Sequence, residues 1–131
     1  HMTTSSDAPF FDCAYKLQAY AGRACRKRSE GKATWPGCKQ VYRHEGSDGR
    51  MAYDVLTLAD DPQHGKALLE PVMRDGRRLA PAPAPAGLRA RVADELARLP
   101  ENLRRLQDSP PYEVRVSQAL RDLTKAVDER E

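Results

Sequence analysis

A run of alternating proline and alanine, APAPAPAG at residues 80–87, divides this chain into two parts with different side-chain periodicity. Proline has a fixed φ and lacks an amide proton, so such a run favours an extended, stiff connector over a helix or a central strand. Side chains before it alternate at period two, and those beyond it repeat at the helical period. We therefore predict a single domain over residues 3–131, with a β-rich part at 3–79, a connector at 80–87 and a helical part at 88–131.

Three segments of the β-rich part have the composition and alternation of strands: CAYKLQAY, KQVYR and MAYDVLTLA. The third alternates less cleanly, as a mostly buried strand would. HEGSDGR, which lies between the last two, carries two glycines and an aspartate and predicts a hairpin loop. RDGR at residues 74–77 is a tighter turn signal because Asp-Gly readily adopts positive φ. We predict an antiparallel sheet of four or five strands within about residues 10–79.

The helical part carries two apolar stripes at helical spacing. The first consists of Leu88, Val92, Leu96 and Leu99, and the second of Leu120, Leu123 and Val127. Pro100 ends the first helix, ENLRRL forms a short helix after it, and Ser117 is a suitable N-cap for the last one. Two or three amphipathic helices following a sheet give an α+β architecture, and their stripes must pack on the sheet or on something outside this chain.

Charge is distributed unevenly along the 131 residues. The first 43 residues contain eight basic and three acidic side chains, although the whole chain has a net charge of only +3.

No apolar run approaches the ~18 residues of a membrane span, and the start lacks a signal-peptide pattern, so we expect no membrane association and a cytoplasmic location. The His1-Met2 start resembles a cloning remnant. Three cysteines at wide spacing favour reduced thiols over a disulfide framework.

The basic surplus is concentrated in RKRSEGKATWPGCKQVYR, residues 26–43, which holds six basic side chains and one acidic one. Such a stretch can be an ordinary solvated loop. It can also bind an anion, because lysine and arginine form charge-assisted bonds to phosphate oxygens, a serine adds a hydroxyl, and Gly31 allows close backbone approach. The residues that would bind phosphate are Lys27, Arg28, Ser29, Lys32 and Lys39.

Single-stranded nucleic acid is a rival ligand for the same charge. A stacking platform would require aromatic side chains from the β-rich part, namely Tyr15, Tyr20, Trp35, Tyr42 and Tyr53. Aromatic residues make up only 6% of the chain, and period-two alternation would bury about half of these five. The pattern therefore disfavours nucleic acid.

Metal and catalytic patterns are weak. Cys13, Cys25 and Cys38 with His44 or His64 lack the CxxC pair that usually begins a zinc site, so we predict no metal ligands. The acidic pair at residues 60 and 61 precedes a proline, which is typical of a turn rather than a magnesium site. No nucleophile, base and acid stand in a catalytic arrangement, and we assign no catalytic residue.

Several motifs, taken in order, resemble the C-terminal region of bacterial nicotinate phosphoribosyltransferase. These are CAYKLQAYAGRACRKRSEGKATWPGCKQVYR, YDVLTLA, LLEPVMRDGRR, LRARVADELARLP and YEVRVSQALRDL. The resemblance runs from about Thr3 to the end, and KRSEGKATWPGCKQVYR is its most specific part. It covers the last third or less of a typical family member.

The resemblance implies a function and a set of partners. The family makes nicotinate mononucleotide from nicotinate and phosphoribosyl diphosphate, using ATP, magnesium and a phosphorylated histidine. Its fold joins an irregular α/β barrel to an α+β domain, with active sites at a dimer interface. Neither His44 nor His64 matches the phosphorylated histidine, so the chain is expected to be inactive alone, to hold no cofactor of its own, and to act as a C-terminal domain or split subunit.

The same resemblance assigns a role to the basic stretch. In related nicotinamide enzymes a similar KRS..GK segment directs basic residues toward phosphates in the partner subunit's active site. By that likeness the role falls to Lys27, Arg28, Ser29 and Lys32, with Lys39 behind them, and Arg26 and Arg43 are weaker candidates. The expected partners are the N-terminal barrel portion or subunit, a phosphorylated small molecule and a second copy of the chain, since an unpaired strand edge favours self-association. The alternative is a free-standing binding or regulatory module for a phosphorylated metabolite or single-stranded nucleic acid.

Overall fold

The structure is a computed structural model that describes residues 16–105 and 108–130. The elements, in chain order, are β1 (Ala19–Tyr20), β2 (Arg23–Ala24), β3 (Lys39–Glu45), β4 (Met51–Leu58), β5 (Lys66–Ala67), β6 (Met73–Arg74), β7 (Arg77–Arg78), α1 (Pro85–Ala97), a 3-10 helix (Glu101–Arg104), β8 (Val114–Val116) and α2 (Gln118–Asp128). The first residues of the predicted β-rich part, Thr3 to Tyr15, include Cys13 and lie outside the described residues.

A four-stranded sheet in the order β5-β3-β4-β8 is the centre of the fold. Strands β3 and β4 pair antiparallel from Lys39 opposite Leu58 to Glu45 opposite Met51, with the loop over residues 46–50 between them. The predicted hairpin is therefore confirmed. It forms because both segments are rich in β-branched and aromatic side chains, and the glycines between them allow the chain to reverse.

The sheet is mixed rather than wholly antiparallel, because β8 pairs parallel with β4. This strand lies inside the part predicted to be helical, and it is only three residues long, too short to show a periodicity. Parallel neighbours require a crossover connection, and the chain from β5 through α1 supplies it. The α+β class and the four-stranded sheet are as predicted, while two further two-stranded ribbons, β1-β2 and β6-β7, stand apart from that sheet.

The ribbon β6-β7 turns at the Asp-Gly pair that the sequence singled out. Asp75 and Gly76 have φ values of 50° and 74°, the left-handed conformation that this dipeptide tolerates. The turn is thus confirmed, although its two strands are only two residues each.

Helix α1 begins at Pro85, inside the predicted connector, because proline is well tolerated in the first turn of a helix. Its apolar stripe is largely uncovered: Leu88, Val92 and Leu96 are 43%, 56% and 55% exposed. In the described part of the chain the sheet therefore does not bury this stripe.

Helix α2 packs tightly, in contrast. Ser117 accepts a hydrogen bond from the Leu120 amide at 3.2 Å, as predicted for the N-cap, and Leu120 is fully buried. The hydroxyls of Thr57 in β4 and Ser117 are 2.8 Å apart, which fixes the start of α2 on the sheet. Neither α1 nor α2, nor any other helix of the described residues, is both long and apolar enough to cross a membrane.

Candidate functional site

The basic loop, residues 26–34, is a closed turn with an ordered stem. The Thr34 amide donates to the Lys27 carbonyl at 3.1 Å, and the Lys27 amide donates to the Thr34 hydroxyl at 3.1 Å. At the tip, the Lys32 amide donates to the Ser29 carbonyl at 3.0 Å, and Gly31 takes the positive φ of 65° that such a turn requires. The residues at the tip are exposed, whereas Thr34 at the stem is 6% exposed.

One side of this loop faces a groove of about 410 Å³, which we call the basic groove. Its lining residues are Lys16, Leu17, Cys25, Arg26, Lys27 and Lys32. Within the described part of the chain, four of the six are cations and none is a carboxylate. A concave surface lined in this way concentrates positive potential and attracts polyanions such as phosphate esters.

The structure brings only some of the predicted phosphate-binding residues to this groove. Lys27 and Lys32 line it, and Arg28 and Ser29 stand exposed between them on the loop. Lysine ammonium groups on flexible stems can reach a phosphate placed in the groove, and each carries three donors. The arrangement is therefore suited to binding an anion.

Lys39, the fifth predicted residue, has a different environment. Its ammonium donates to the Gln18 side-chain carbonyl at 2.5 Å, to the Trp35 carbonyl at 2.9 Å and to the Gly37 carbonyl at 2.6 Å. These acceptors use all three of its donors, and burial lowers the pKa of Lys39 below its ordinary value. Lys39 thus ties the segment that follows the basic loop to the segment that precedes β1.

Two groove residues were missed or ranked low from sequence. Lys16 belongs to the alternating segment CAYKLQAY, and nothing in that pattern shows that it faces the basic loop. Arg26, a weaker candidate, lines the groove but forms a two-pronged ion pair with Asp128, with contacts of 2.9 and 3.0 Å. Its charge is therefore partly neutralised by the end of α2.

A second cation-rich region lies between β5 and α1 and is lined by both signs of charge. Its groove, of about 600 Å³, is lined by Arg43, Lys66, Ala67, Leu68, Glu70, Val72, Arg91, Asp94, Glu95 and Arg98. Arg43 and Asp54 form two contacts of 2.9 Å, and Arg43 also meets Glu95 at 3.3 Å. We call Arg43, Asp54, Glu95, Arg98 and Tyr112 the paired cluster.

Contacts within the paired cluster shift the pKa values of its members. Tyr112 donates to Asp54 at 3.0 Å, and burial together with this bond raises the pKa of Tyr112 to about 12. The hydrogen bond to Asp54 raises the pKa of Arg43 further above its ordinary value. Asp54 is only 7% exposed and its carboxylate accepts hydrogen bonds from both Arg43 and Tyr112, so the Arg43 charge is compensated within the cluster.

Among the described residues, Tyr53 and Tyr20 do not form part of the aromatic platform considered from sequence. Tyr53 is stacked on His44 with ring centroids 4.4 Å apart, and the Arg115 guanidinium lies 3.6 Å from the same Tyr53 ring. Two groups stacked at these distances occupy both faces of the ring, so no base can stack on it. Tyr20 belongs to a separate ribbon, β1-β2, and Tyr15 lies outside the described residues.

Among the described residues, the side chains that were considered as metal ligands from the sequence do not come together. Asp61 accepts a hydrogen bond from Thr57 at 2.5 Å, and His64 is exposed. Cys25 and Cys38 are free thiols, the first half-buried in the basic groove and the second exposed. Among the described residues no three His, Cys, Asp or Glu side chains come together as metal ligands would.

Comparison with known proteins found a family model and several relatives that are similar to this chain. The family model for the "Nicotinate phosphoribosyltransferase C-terminal domain" matches residues 62–124. Nicotinate phosphoribosyltransferase pncB2 of Mycobacterium tuberculosis is 39% identical over 88% of this chain and 25% of its own length. The Bos taurus nicotinate phosphoribosyltransferase is 32% identical over 98% of this chain and 29% of its own length.

The fold is matched as well. The crystal structure of human nicotinic acid phosphoribosyltransferase superposes with a TM-score of 0.75 and 28% identity, covering 88% of this chain and 26% of that one. The chain spans about a quarter of the length of the curated relatives it matches. The ordered motifs, the α+β fold and these matches agree, and the chain belongs to the nicotinate phosphoribosyltransferase family, in which it corresponds to the C-terminal domain.

Proposed function

We propose that this domain serves the formation of nicotinate mononucleotide from nicotinate and phosphoribosyl diphosphate, by presenting the basic loop to the phosphates of the reaction. The observation that carries the proposal is the basic groove, where Lys27 and Lys32 line a concave surface without a carboxylate in its described lining. Phosphoribosyl diphosphate and ATP are polyanions, and a groove of this charge attracts both.

The loop acts through electrostatics rather than through a chemical group. Lys27 and Lys32 donate charge-assisted hydrogen bonds to phosphate oxygens, and Arg28 and Ser29 extend the contact from the exposed tip. Lys39 holds the segment behind the loop through its three carbonyl bonds, so that the loop does not have to be ordered when the phosphate binds. Stabilising the charge that collects on a leaving diphosphate would then assist phosphoribosyl transfer.

We further propose that the domain is inactive by itself and works in the cytoplasm with an N-terminal barrel portion or subunit. Two features support this. The domain spans about a quarter of its relatives, and the apolar stripe of α1 is exposed at Leu88, Val92 and Leu96, as expected of a surface that packs against further polypeptide. Assembly into a homo-oligomer is part of the same proposal.

ATP and magnesium are used by the family, and the described residues fit them unequally. The basic groove fits the phosphates of a nucleotide, and among the described residues no three His, Cys, Asp or Glu side chains come together as ligands of a metal ion.

Cysteine labelling tests the groove directly. Cys25 lines the basic groove and Cys38 is exposed elsewhere, so one protein contains a reporter and its control. We expect inorganic diphosphate to slow the alkylation of Cys25 and to leave Cys38 unchanged, as measured by site-resolved mass spectrometry. Lys32→Ala should remove the protection, because it deletes one of the ammonium groups that hold the ligand.

Two outcomes would contradict the proposal. One is equal labelling of both thiols with and without diphosphate, and the other is protection that survives in Lys32→Ala. If single-stranded DNA protects Cys25 with a steep dependence on salt while diphosphate does not, a free-standing nucleic-acid module becomes the better account.

A further inference from the structure

We propose that Asp128, the last residue of α2, is a positioning residue that anchors the basic loop in its anion-binding conformation. The inference rests on the proposed function and adds a residue to it that the sequence pattern did not single out. Asp128 lies outside the lining of the basic groove, and it would therefore act through Arg26 rather than by touching the ligand.

The anchor is a two-pronged ion pair across a long stretch of chain. Arg26 Nε lies 2.9 Å from Asp128 Oδ1, and Arg26 Nη2 lies 3.0 Å from Oδ2. The two side chains are 17% and 32% exposed, so the pair is partly shielded from solvent. A planar guanidinium held at both oxygens of a carboxylate has a fixed orientation, which a single contact would not give it.

Arg26 passes this orientation to the stem of the loop. Its Nη1 lies 3.5 Å from the Thr34 carbonyl, and Thr34 is the buried residue that pairs with Lys27 through two hydrogen bonds. The order of contacts is therefore Asp128 to Arg26, Arg26 to Thr34, and Thr34 to Lys27. Loss of the first contact releases the guanidinium that braces the stem.

The position of Asp128 at the C-terminal end of α2 indicates that its carboxylate serves the ion pair with Arg26 and does not stabilise the helix. A negative charge at the C-terminal end of a helix is opposed by the partial negative charge of the free carbonyls there. The helix therefore loses stability by having an aspartate at this end, and the gain comes from Arg26.

The negative charge of Asp128 also opposes anion binding at the loop. The direction in which anion affinity changes when this charge is removed therefore distinguishes a positioning role from a purely electrostatic one. Its Oδ1 lies 3.9 Å from Arg28 Nε, so the carboxylate reduces the positive potential at the loop. If Asp128 acted through its charge alone, its neutralisation would tighten anion binding. If it positions the loop, neutralisation weakens binding despite the more positive potential.

The experiment compares Asp128→Asn with Asp122→Asn in the full 131-residue chain. Asp122 is exposed on the same helix and bonds only Gln118 among the hydrogen bonds of the described residues, so both changes remove one negative charge from α2. The dissociation constant for inorganic diphosphate is measured by calorimetry. Hydrogen exchange is measured at the amides of Lys27, Lys32 and Thr34, and thermal unfolding checks that each variant folds.

We expect Asp128→Asn to weaken diphosphate binding roughly three- to tenfold and to speed exchange at the Thr34 and Lys27 amides, because the net contribution of a lost charge-assisted contact corresponds to a change of this size. Asp122→Asn should change neither, and Asp128→Glu, which keeps a carboxylate, should lie closer to the wild type. Equal or tighter binding by Asp128→Asn, or unchanged exchange, overturns the positioning role. If the wild type itself does not bind diphosphate, the proposed function fails, and exchange alone then decides whether Asp128 holds the loop.

Discussion

The paired cluster and the basic loop are both rich in cations, but they use them in opposite ways. In the paired cluster Arg43 is held by Asp54 and Glu95, and Tyr112 donates to the same Asp54 carboxylate. In the basic loop, Lys27 and Lys32 face a groove whose described lining contains no carboxylate. Among the described residues, Arg26 is the one cation of this groove that forms a short ion pair, with Asp128.

The contrast shows that pairing, rather than the density of positive charge, separates a structural cation from a candidate ligand contact. A buried guanidinium without its carboxylate is costly, so the paired cluster is tied to folding. An exposed lysine that lines a groove contributes little to folding, and its charge is available to an anion. Changes in the first region should therefore affect stability, and changes in the second should affect binding.

The largest expected effect is that of Asp54→Ala. Removing this carboxylate leaves the Arg43 charge without its two-pronged partner in a partly buried site, and we expect the free energy of unfolding to fall by about 3–5 kcal/mol. Chemical denaturation measures it. Glu113→Ala removes an equally short but exposed ion pair with Arg115 and should leave stability near that of the wild type. Equal losses in the two variants would contradict the distinction between paired-cluster and surface charges.

A matched pair of leucines extends the comparison to the two helices. Leu120→Ala, at a fully buried position of α2, should cost about 2–5 kcal/mol because it leaves a cavity against the sheet. Leu88→Ala, at a 43% exposed position of α1, should cost no more than about 0.5 kcal/mol in this chain. Denaturant midpoints of the two variants check this, and a large loss for Leu88→Ala would mean that α1 packs more tightly than its exposure indicates.

The pH dependence of the free energy of unfolding tests the hydrogen bond that the Tyr112 phenol donates within the paired cluster. Because the pKa of Tyr112 is raised to about 12 in the folded chain, from about 10 in an unfolded one, the fold favours the neutral phenol. Its contribution to stability is complete below pH 10 and is lost as the pH rises from 10 to 12. The difference between the wild type and Tyr112→Phe should therefore shrink across that window in urea titrations, and a constant difference would contradict the hydrogen bond to Asp54.

The smallest effect on stability is expected for Lys32→Ala. Lys32 is exposed, so the free energy of unfolding should stay within about 0.5 kcal/mol of the wild type, while affinity for diphosphate falls. Lys66→Ala is the control: it also removes an exposed lysine, but one that lies 4.0 Å from Glu95 beside the paired cluster, and it should leave diphosphate affinity unchanged. A comparable loss of affinity in both variants would indicate unspecific charge attraction.

Local signals predicted much of the fold. The Asp-Gly turn at residues 75–76, the β3-β4 hairpin and the Ser117 cap all depend on residues near one another in sequence, and all are present. Strand β8 was not predicted, because three residues carry too little periodicity and its pairing with β4 is set by the tertiary fold.

The candidate site was predictable only in part, for a similar reason. Residue type and spacing identified the basic loop, with Lys27 and Lys32 in it. They could not show that Lys16 shares the groove, that the donors of Lys39 are used internally, or that Asp128 reaches Arg26 from 102 residues away. Each of these depends on a contact between distant segments, which a single sequence does not encode as a visible pattern.

A titration of the isotope-labelled chain with inorganic diphosphate, followed by two-dimensional amide NMR, shows whether the basic groove rather than the paired cluster binds the anion. We expect saturable shifts at Lys16, Cys25, Lys27 and Lys32, with the amides around Arg43 and Arg98 unmoved. Shifts centred on the paired cluster, or small unsaturable shifts spread over all basic residues, would contradict it.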